Sequence, residues 1–318
     1  MKNRIAVIGG AGFIGSNIVD ALIDLGEDVI IIDDFSTGKW ENINPLAEVQ
    51  IIDISKITPT ALSRIINDCD SIYYLAALAR VQLSFDNVLR YNEVNTVGLL
   101  ITLEAMLISN IKKIVFSSSS SIYGNAELIP TPEECEAKPM SPYATQKIAA
   151  ENYLLSYTLK HDIFAVCLRY FNVYGERMQT EGAYSTVIGR FLNKLQSPGD
   201  RDLEITNDGD QRRDFTYVGD VVQANLKAME HLKKSIHNTT VSNIKKSKKY
   251  FIFNVGTGEN YSVLDIADLF PLKRKFVGEV IEPFETCANN SKIRYELGWS
   301  STTNVLDWVR EKIEKIKG

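Results

Sequence analysis

The stretch that decides the fold is Ile5-Ala6-Val7-Ile8-Gly9-Gly10-Ala11-Gly12-Phe13-Ile14-Gly15, close to the start of the chain. Its first four residues are apolar and predict a buried strand, and the residues from Gly15 to Leu25 predict a helix. Glycines at positions 9, 12 and 15 permit a tight turn, a close approach of the backbone to a pyrophosphate, and close packing of the helix on the strand. The helix would also present free N–H groups and its positive end to the phosphates. The segment therefore predicts a dinucleotide-binding strand, turn and helix.

The remainder of the first half alternates short β-branched runs with helical patterns, which is typical of a parallel sheet covered by helices. The further strand candidates are Val29–Ile32, Val49–Ile52, Ser71–Tyr74, Ile114–Phe116 and Phe164–Leu168. The further predicted helices lie near Pro59–Asn67, Asp86–Ser109 and Tyr143–Lys160. Six strand-like runs at this spacing predict the α/β class with a doubly wound parallel (Rossmann) sheet.

Two carboxylates follow the second and third predicted strands. Asp33 lies 18 residues after Gly15, where a carboxylate can accept hydrogen bonds from the ribose diol of an adenosine. A carboxylate there repels a 2′-phosphate, so NAD is favoured over NADP as the cofactor. The alternative is a turn aspartate at the end of a strand, because Ser36-Thr37-Gly38 follows it. Asp53 is expected to meet the adenine amino group.

The chain changes character after about Asn172, where the alternation loosens into short elements and loops. We expect residues 1–172 to form an NAD-binding Rossmann domain, joined by some later segments. Residues 173–318 are expected to form mainly a smaller C-terminal α/β lobe for the substrate, ending in an amphipathic helix near Asn304–Ile316. The polar stretch Lys233–Lys249 predicts a mobile insertion.

Composition argues against several classes of protein. The net charge of −5 disfavours a dedicated nucleic-acid surface. No apolar run approaches the roughly 20 residues that cross a bilayer, and the start of the chain has no signal-peptide pattern. The four cysteines are far apart in the sequence, and only three histidines are present, so no metal site is predicted. We expect a cytoplasmic protein with reduced cysteines and without a membrane or nucleic-acid partner.

The candidate catalytic pair is Tyr143 and Lys147, which are four residues apart on one face of a predicted helix. A nearby ammonium favours the tyrosinate and lets the tyrosine act as a base toward a sugar hydroxyl. About one such pair is expected by chance in a chain of this composition, so the spacing alone decides nothing. Upstream, a predicted strand runs into the hydroxyl-rich segment Ser117-Ser118-Ser119-Ser120-Ser121, which could hydrogen-bond a substrate beside the tyrosine.

These features together resemble the extended short-chain dehydrogenases/reductases of the NAD-dependent nucleotide-sugar epimerase/dehydratase family, and most of all its UDP-N-acetylglucosamine and UDP-glucose 4-epimerases. The resemblance covers nearly the whole chain. Its motifs are Gly9–Gly15, Asp33, Leu75-Ala76-Ala77, Tyr91-Asn92-Glu93-Val94-Asn95, the serine segment, Tyr143-Ala144-Thr145-Gln146-Lys147, Arg169–Gly175, Gly182–Ile188, Arg213–Val218 and Asn254–Gly258.

The resemblance implies an NAD-dependent 4-epimerisation of a UDP-hexose or UDP-N-acetylhexosamine through a 4-keto intermediate. Tyr143 would remove the 4-hydroxyl proton, Lys147 would support it and bind the nicotinamide ribose, and Ser119 would be the catalytic hydroxyl. The cofactor-binding residues that the resemblance implies are Gly9, Gly12, Phe13, Ile14, Gly15, Asp33, Ser36, Thr37, Gly38, Asp53, Ile54, Leu75, Ala76, Ala77, Ala79, Asn95, Ser117, Tyr143, Lys147, Tyr170 and Val173.

The resemblance also implies a set of substrate-binding residues. Asn172 and Arg213 would hold the nucleotide diphosphate, although a salt bridge with a neighbouring acid is the alternative for Arg213. Thr286 is placed where a small side chain leaves room for an N-acetyl group. The full set is Arg80, Ser119, Ser121, Tyr143, Asn172, Thr206, Arg213 and Thr286.

The chain departs from the family pattern at several positions. Phe276 and Val277 stand before Gly278, where relatives usually carry an arginine for the pyrophosphate. Alternatives to epimerisation are a nucleotide-sugar 4-ketoreductase, a 4,6-dehydratase, and a non-catalytic dinucleotide-binding protein. The dehydratases carry an acidic pair at the positions of Ser120-Ser121. By analogy with relatives, the helices around Asp86–Ser109 and Tyr143–Lys160 are expected to form a homodimer contact.

Overall fold

The computed structural model of the protein describes residues 3–182, 185–199, 201–241 and 248–317, and for residues 238–241 the backbone only. The chain forms two compact units. The first unit comprises Met1–Ser119, Ser141–Arg169 and Val222–Phe253, and the second comprises Ser120–Met140, Tyr170–Val221 and Asn254–Gly318. No described helix combines the length and the apolar character that crossing a membrane requires.

The elements below are numbered in chain order. The strands are β1 Arg4–Ile8, β2 Asp28–Asp33, β3 Glu48–Ile51, β4 Cys69–Tyr74, β5 Lys113–Ser119, β6 Phe164–Tyr170, β7 Val173–Tyr174, β8 Leu203–Ile205, β9 Arg212–Arg213, β10 Thr216–Tyr217, β11 Tyr250–Val255, β12 Tyr261–Ser262 and β13 Arg274–Phe276. The α-helices are α1 Phe13–Asp24, α2 Pro59–Ile65, α3 Leu83–Asp86, α4 Val88–Asn92, α5 Gly98–Ile108, α6 Pro142–Lys160, α7 Val187–Gln196, α8 Val218–Val241, α9 Val263–Ala267, α10 Ser291–Leu297 and α11 Val305–Lys317.

A seven-stranded parallel sheet in the order β11-β6-β5-β4-β1-β2-β3 forms the centre of the first unit. The order reverses at β1, which pairs with β2 on one side and β4 on the other. The predicted doubly wound Rossmann sheet is therefore confirmed, because such an order arises when helices cross over both faces. Within β1, the residues Ile5–Ile8 are at most 1% exposed, as expected for a strand covered on both faces.

The structure adds one strand that the sequence analysis missed. The strand β11 joins the sheet beside β6, although it comes after the region where the alternation of patterns had loosened. The prediction of a mobile insertion at Lys233–Lys249 is wrong for its first half, because α8 continues to Val241. Residues 242–247 of that insertion lie outside the described residues.

The helix predicted near Asp86–Ser109 is divided into several pieces. Asn87 interrupts it between α3 and α4 with a non-helical conformation. A π-helical turn, Glu93–Val97, then separates α4 from α5. π-Turns often occur at functional sites, and this one contains the predicted cofactor residue Asn95.

The second unit contains short strands and helices that are held by buried carboxylates. Asp214 is completely buried and accepts hydrogen bonds from the backbone N–H groups of Thr257 (2.8 Å), Gly258 (3.0 Å) and Ala288 (3.0 Å). Burial raises the pKa of Asp214, and these donors oppose the increase. This carboxylate thus ties together segments that carry several of the predicted substrate residues.

Candidate active site

The glycine-rich turn between β1 and α1 is packed too closely to accept side chains at two of its glycines. Gly9 has a φ of +86°, and a Cβ atom there would lie 2.5 Å from the backbone nitrogen of Ala76. A Cβ atom on Gly15 would lie 2.1 Å from the carbonyl oxygen of Gly9, so only glycine lets α1 pack this closely. Gly12 is the N-cap of α1, and the first N–H groups of that helix are available for an anionic group.

Asp33 lies at the end of β2, beside the glycine-rich turn. Its two carboxylate oxygens accept hydrogen bonds of 2.9 Å from the N–H groups of Ala11 and Phe35. The contact with Phe35 is that of a turn aspartate, and the contact with Ala11 fixes the carboxylate against the predicted pyrophosphate turn. Burial raises the pKa of Asp33, and the two N–H donors oppose the increase.

Asp53 has a partner that the sequence analysis missed. The guanidinium Nη2 of Arg90 lies 2.8 Å from Asp53 Oδ2, and Ser55 donates to Oδ1. Although burial opposes the change, the pKa of Asp53 is lowered by the hydrogen bonds of Ser55 and Arg90. No pattern in the sequence joins positions 53 and 90, because the pair forms only when α4 is placed beside the end of β3. The pair would hold the carboxylate at the predicted adenine position.

The other predicted cofactor residues of this unit cluster at the carboxyl ends of the parallel strands, where doubly wound folds bind their ligands. They are Phe13 and Ile14 in the first turn of α1, Ser36, Thr37 and Gly38 after β2, Ile54 after β3, Leu75, Ala76, Ala77 and Ala79 after β4, Asn95 in the π-helical turn, and Ser117 on β5. Asn95 fixes the segment after β4 by accepting from Leu78 N–H (2.8 Å) and donating to Leu78 O (3.1 Å). Arg80 follows on the same segment and is partly buried.

The predicted catalytic residues come together between β5 and α6, and we refer to Ser119, Tyr143 and Lys147 as the catalytic face. Ser141 caps α6, and Pro142 occupies its first turn, so the helix begins immediately before Tyr143. Tyr143 is hydrogen-bonded to the side chain of Ser119. Lys147 Nζ donates to the carbonyl oxygen of Ser117 at 2.8 Å.

Burial perturbs both titrating groups of the catalytic face. Burial raises the pKa of Tyr143 to about 12, and the hydrogen bond with Ser119 opposes this increase. Burial lowers the pKa of Lys147 to about 8, and the negative charge of Glu151 opposes this decrease. At neutral pH, Tyr143 is therefore protonated and Lys147 is mostly charged. A tyrosine in this state needs nearby positive charge before it can accept a proton from a substrate.

The serine run divides between the two units. Of its members, Ser119 ends β5 and contacts Tyr143, whereas Ser121 lies in a 3₁₀ turn, Ser120–Tyr123, that belongs to the second unit. The expected hydroxyl-rich loop is thus partly strand, because β5 continues through Ser119. The strand places the side chain of Ser119 more firmly than a loop would.

Four of the predicted substrate residues lie close together in the second unit. Asn172 donates to the hydroxyl of Thr286 at 3.2 Å. Thr286 N–H donates to the carbonyl oxygen of Arg212 at 3.0 Å, which joins the chain segments that carry Thr286 and Arg213. We refer to Asn172, Thr206, Arg213, Thr286 and the acid Glu282, which pairs with Arg213, as the substrate cluster.

Glu282 was missed by the sequence analysis, and it joins Arg213 to Thr206 through Gln211. Its Oε2 lies 2.7 Å from Nη2 of Arg213, whose side chain is 9% exposed. Gln211 donates to Glu282 Oε1 (3.3 Å) and to the carbonyl oxygen of Thr206 (3.1 Å). The alternative interpretation of Arg213, a salt bridge with an acid, is therefore seen here, although the arginine is largely buried.

The remaining predicted residues are also in the second unit. Tyr170 is the last residue of β6 and is buried, and Val173 begins the short strand β7, which pairs with β10. Ala183 and Tyr184 of the predicted motif Gly182–Ile188 lie outside the described residues. Among the residues that the structure describes, no three His, Cys, Asp or Glu side chains form a group that could hold a metal ion.

A comparison with known protein families decides the classification. The model of the NAD dependent epimerase/dehydratase family matches residues 5–244. The chain belongs to this family.

Members of the family resemble the chain over its whole length. A relative from Methanocaldococcus jannaschii, named provisionally as a UDP-glucose 4-epimerase, is 36% identical over 326 residues, which cover 98% of both chains. The structure of UDP-glucose 4-epimerase from Thermotoga maritima with UDP-glucose has a TM-score of 0.88 and 30% identity, covering 99% of this chain and 98% of that one. UDP-N-acetylglucosamine 4-epimerase from Methanobrevibacter ruminantium, in complex with UDP-N-acetylmuramic acid, has a TM-score of 0.85 and 32% identity, with the same coverage.

Membership of the NAD dependent epimerase/dehydratase family confirms the resemblance seen in the sequence, and it confirms that the protein is an enzyme with NAD as its cofactor. The residues present fit that cofactor. A side chain at Gly9 or Gly15 would collide with backbone atoms. The tight turn that a pyrophosphate approaches therefore requires glycine at both positions. The carboxylate of Asp33, held at the end of β2, suits a ribose diol and disfavours a 2′-phosphate.

Proposed function

We propose that this member of the family is a 4-epimerase that acts on a UDP-hexose or a UDP-N-acetylhexosamine. The observation that carries the proposal is the hydrogen bond between Tyr143 and Ser119 with the buried ammonium of Lys147 one helical turn away. This arrangement can move a proton to and from a sugar hydroxyl. The names of the relatives from M. jannaschii, T. maritima and M. ruminantium support the choice of 4-epimerisation.

The chain's own residues supply the acid–base part of the reaction. Ser119 would hold the 4-hydroxyl of the sugar next to the phenolic oxygen of Tyr143, which would accept its proton and later return one to the 4-keto sugar. Lys147, fixed by the carbonyl oxygen of Ser117, would stabilise the tyrosinate during this exchange. Bound NAD, held by the Gly9–Gly15 turn and Asp33, would supply reversible hydride transfer at C4 of the sugar and would be regenerated in each cycle.

The assignment of substrate residues is part of the same proposal. Arg213 and Asn172 would bind the nucleotide diphosphate, since a guanidinium forms paired hydrogen bonds with phosphate. Arg80, Ser121 and Thr206 would complete the site. Thr286 is a small side chain and would leave space for an N-acetyl group, which is why both hexose and N-acetylhexosamine substrates remain in the proposal. In this scheme the first unit, which the later segment Val222–Phe253 joins, supplies the cofactor domain, and the second unit supplies the sugar-nucleotide lobe.

We also propose that the enzyme is a cytoplasmic homodimer. Large apolar side chains are exposed on α4, α5 and α6: Leu89 (81%), Ile108 (57%), Tyr153 (40%), Leu155 (37%) and Leu159 (79%). A second copy of the chain would cover them, since such faces commonly form symmetric interfaces. Its four cysteines are free thiols, which agrees with a reducing compartment.

The nearest competing reaction is a 4-ketoreduction, which would use the same three catalytic residues. The two reactions differ in what happens to the cofactor, because a reductase consumes a reduced dinucleotide whereas an epimerase retains NAD. A 4,6-dehydratase would need acids beside the catalytic hydroxyl, and Ser120 and Ser121 occupy those positions.

The test is to denature the purified enzyme and identify any released dinucleotide, and then to incubate native enzyme without added cofactor with UDP-glucose, UDP-N-acetylglucosamine or UDP-glucuronate. Proton NMR would follow the products. We expect bound NAD and formation of the C4 epimer of a UDP-hexose or its N-acetyl analogue. Turnover only of a 4-keto sugar with added NADH or NADPH would instead establish the reductase.

A further inference from the structure

Glu151, a buried acid on the catalytic helix, has no part in the reaction described above. It is 2% exposed and lies two helical turns after Tyr143 on α6. Arg169 of β6, which is 5% exposed, donates from Nε to Glu151 Oε1 (3.0 Å) and from Nη2 to Oε2 (2.7 Å). A paired contact of this kind is strong and directional. Burying an ion pair carries a large desolvation cost, so the Glu151–Arg169 pair is a candidate for a functional role.

The acid lies in line with the catalytic residues. Tyr143, Lys147 and Glu151 follow at four-residue intervals and share one face of α6. Each contacts one of three successive serines at the end of β5. The contacts are the Ser119 side chain with Tyr143, the Ser117 carbonyl oxygen with Lys147 at 2.8 Å, and the Ser118 hydroxyl, which donates to Glu151 Oε1. The third contact therefore secures the same alignment of strand and helix that brings the Tyr143 and Ser119 hydroxyls together.

The acid also supplies charge where Lys147 needs it. Lys147 is 3% exposed, and its Nζ lies 4.9 Å from the centre of the Phe116 ring. The groups that face the Lys147–Glu151 region are Tyr143 on α6, Cys167 and Arg169 on β6, and Tyr250 on β11, whose hydroxyl donates to Glu151 O. None of these described groups is a carboxylate, so the negative charge beside Lys147 comes from Glu151. A buried ammonium without a nearby negative charge would tend to lose its proton.

We propose that Glu151, anchored by Arg169, is a positioning residue that aligns α6 with β5 and stabilises the charged form of Lys147. Its effect on turnover rests on the proposed function, whereas its effect on Lys147 is a property of the folded protein. The substrate does not reach Glu151 in this scheme, so the acid acts through Lys147 and Tyr143.

The proposal predicts opposite effects for the two partners of the buried pair. The pKa of Lys147 is about 8 because burial lowers it and Glu151 opposes the decrease. Glu151→Gln keeps the shape and removes the negative charge, so the pKa should decrease further, by about one pH unit. Arg169→Gln removes the positive charge and leaves the carboxylate, so the pKa should increase. Ser118→Ala removes a hydroxyl and no charge, and should leave the pKa unchanged.

The test is an NMR titration of the full-length protein labelled with [ε-¹³C]lysine. The resonance that is absent from Lys147→Met identifies Lys147, and its titration midpoint is compared in wild type, Glu151→Gln, Arg169→Gln, Ser118→Ala and Glu151→Asp. We expect a lower midpoint in Glu151→Gln, a higher one in Arg169→Gln, and a midpoint close to wild type in Ser118→Ala and Glu151→Asp. The alkaline limb of kcat should move with these midpoints. Equal midpoints in Glu151→Gln, Arg169→Gln and wild type, with folded proteins by thermal melting, would overturn the proposal.

This titration also separates the proposal from the function it builds on. If no UDP-sugar is converted but the midpoints move as expected, the proposed function fails and the role of Glu151 stands. If the sugar is converted and the midpoints do not move, the proposed function stands and the role of Glu151 fails. If either Glu151→Gln or Arg169→Gln unfolds, the other still tests the proposal, because each predicts a shift of the Lys147 midpoint with its own sign.

Discussion

The catalytic face of the first unit and the substrate cluster of the second unit are assembled in different ways. The catalytic face uses two elements, in which Tyr143 and Lys147 are one helical turn apart and Ser119 ends the adjacent strand. The substrate cluster joins residues that are far apart in the chain, for example Arg213 with Glu282 and Asn172 with Thr286. The first arrangement follows from regular secondary structure, whereas the second depends on how loops meet. We therefore expect the chemistry to be robust and the sugar specificity to depend on less regular contacts.

The largest effect should come from removing the proposed base of the catalytic face. Tyr143→Phe leaves the packing of α6 intact and removes the hydroxyl that exchanges the proton, so kcat should decrease by about 10²- to 10⁴-fold. NAD content, measured after denaturation, should stay close to wild type. The matched control is Tyr153→Phe, a partly exposed tyrosine of the same helix. Unchanged turnover in Tyr143→Phe would refute the catalytic assignment.

The next largest effect should come from the substrate cluster. Arg213→Met removes the guanidinium that is proposed to bind the diphosphate, and the loss of charge-assisted hydrogen bonds should raise KM for the UDP-sugar by about 10- to 100-fold. The neighbouring Arg212→Met is the matched control, because Arg212 contacts Asn260 and Asp265. Steady-state kinetics distinguish the two variants. A tenfold decrease in kcat at unchanged KM for Arg213→Met would place this residue in the chemical step instead.

A smaller decrease in kcat is expected when the pH is raised. Because burial lowers the pKa of Lys147 from 10.5 to about 8, its positive charge is present below that pH and is lost as the pH rises through it. Turnover should therefore decrease above about pH 8 in substrate-saturated kcat profiles, and not only near 10.5. Lys147→Arg, which stays charged, should lack this limb in whatever activity it retains. An alkaline limb at the same pH in Lys147→Arg would assign it to another group.

The smallest effect should come from Glu282, which pairs with Arg213 and would compete with the diphosphate in the proposed scheme. Glu282→Gln removes the negative charge and keeps an oxygen that can accept from Gln211. KM should decrease by about twofold to fivefold, the size expected for one partly exposed ion pair. The control is Glu285→Gln, a nearby acid that accepts from Asn260. An increase in KM for Glu282→Gln alone would indicate that the carboxylate binds the substrate and does not compete with it.

Most of the first unit could be predicted from the sequence. The turn Gly9–Gly15, the strand ends that carry Asp33 and Asp53, and the four-residue spacing of Tyr143 and Lys147 are local patterns, and together they fix where these residues lie on the sheet and on α6. The strand β11 was missed because it follows a long polar segment and pairs with β6, far back in the chain. The continuation of α8 to Val241 was missed because polar composition alone was taken to indicate a mobile segment.

The partners of the site residues were harder to predict. Arg90 beside Asp53 and Glu282 beside Arg213 lie 37 and 69 positions away in the chain, and no periodicity relates positions so distant. The contact between Asn172 and Thr286 likewise depends on the backbone pairing of the Thr286 and Arg212 segments. The sequence therefore predicted where the candidate site residues lie on the strands and helices better than it predicted the neighbours that orient them.

The most direct test of 4-epimerisation with retained NAD uses a UDP-sugar that carries deuterium at C4, converted by the purified enzyme in ordinary water without added cofactor. In a 4-epimerase the atom removed from C4 returns to the same carbon on the other face of the ring. We expect the C4 epimer to keep its deuterium, as measured by NMR and mass spectrometry. Exchange of that deuterium with solvent, or formation of the epimer only when a reduced dinucleotide is supplied, would contradict it.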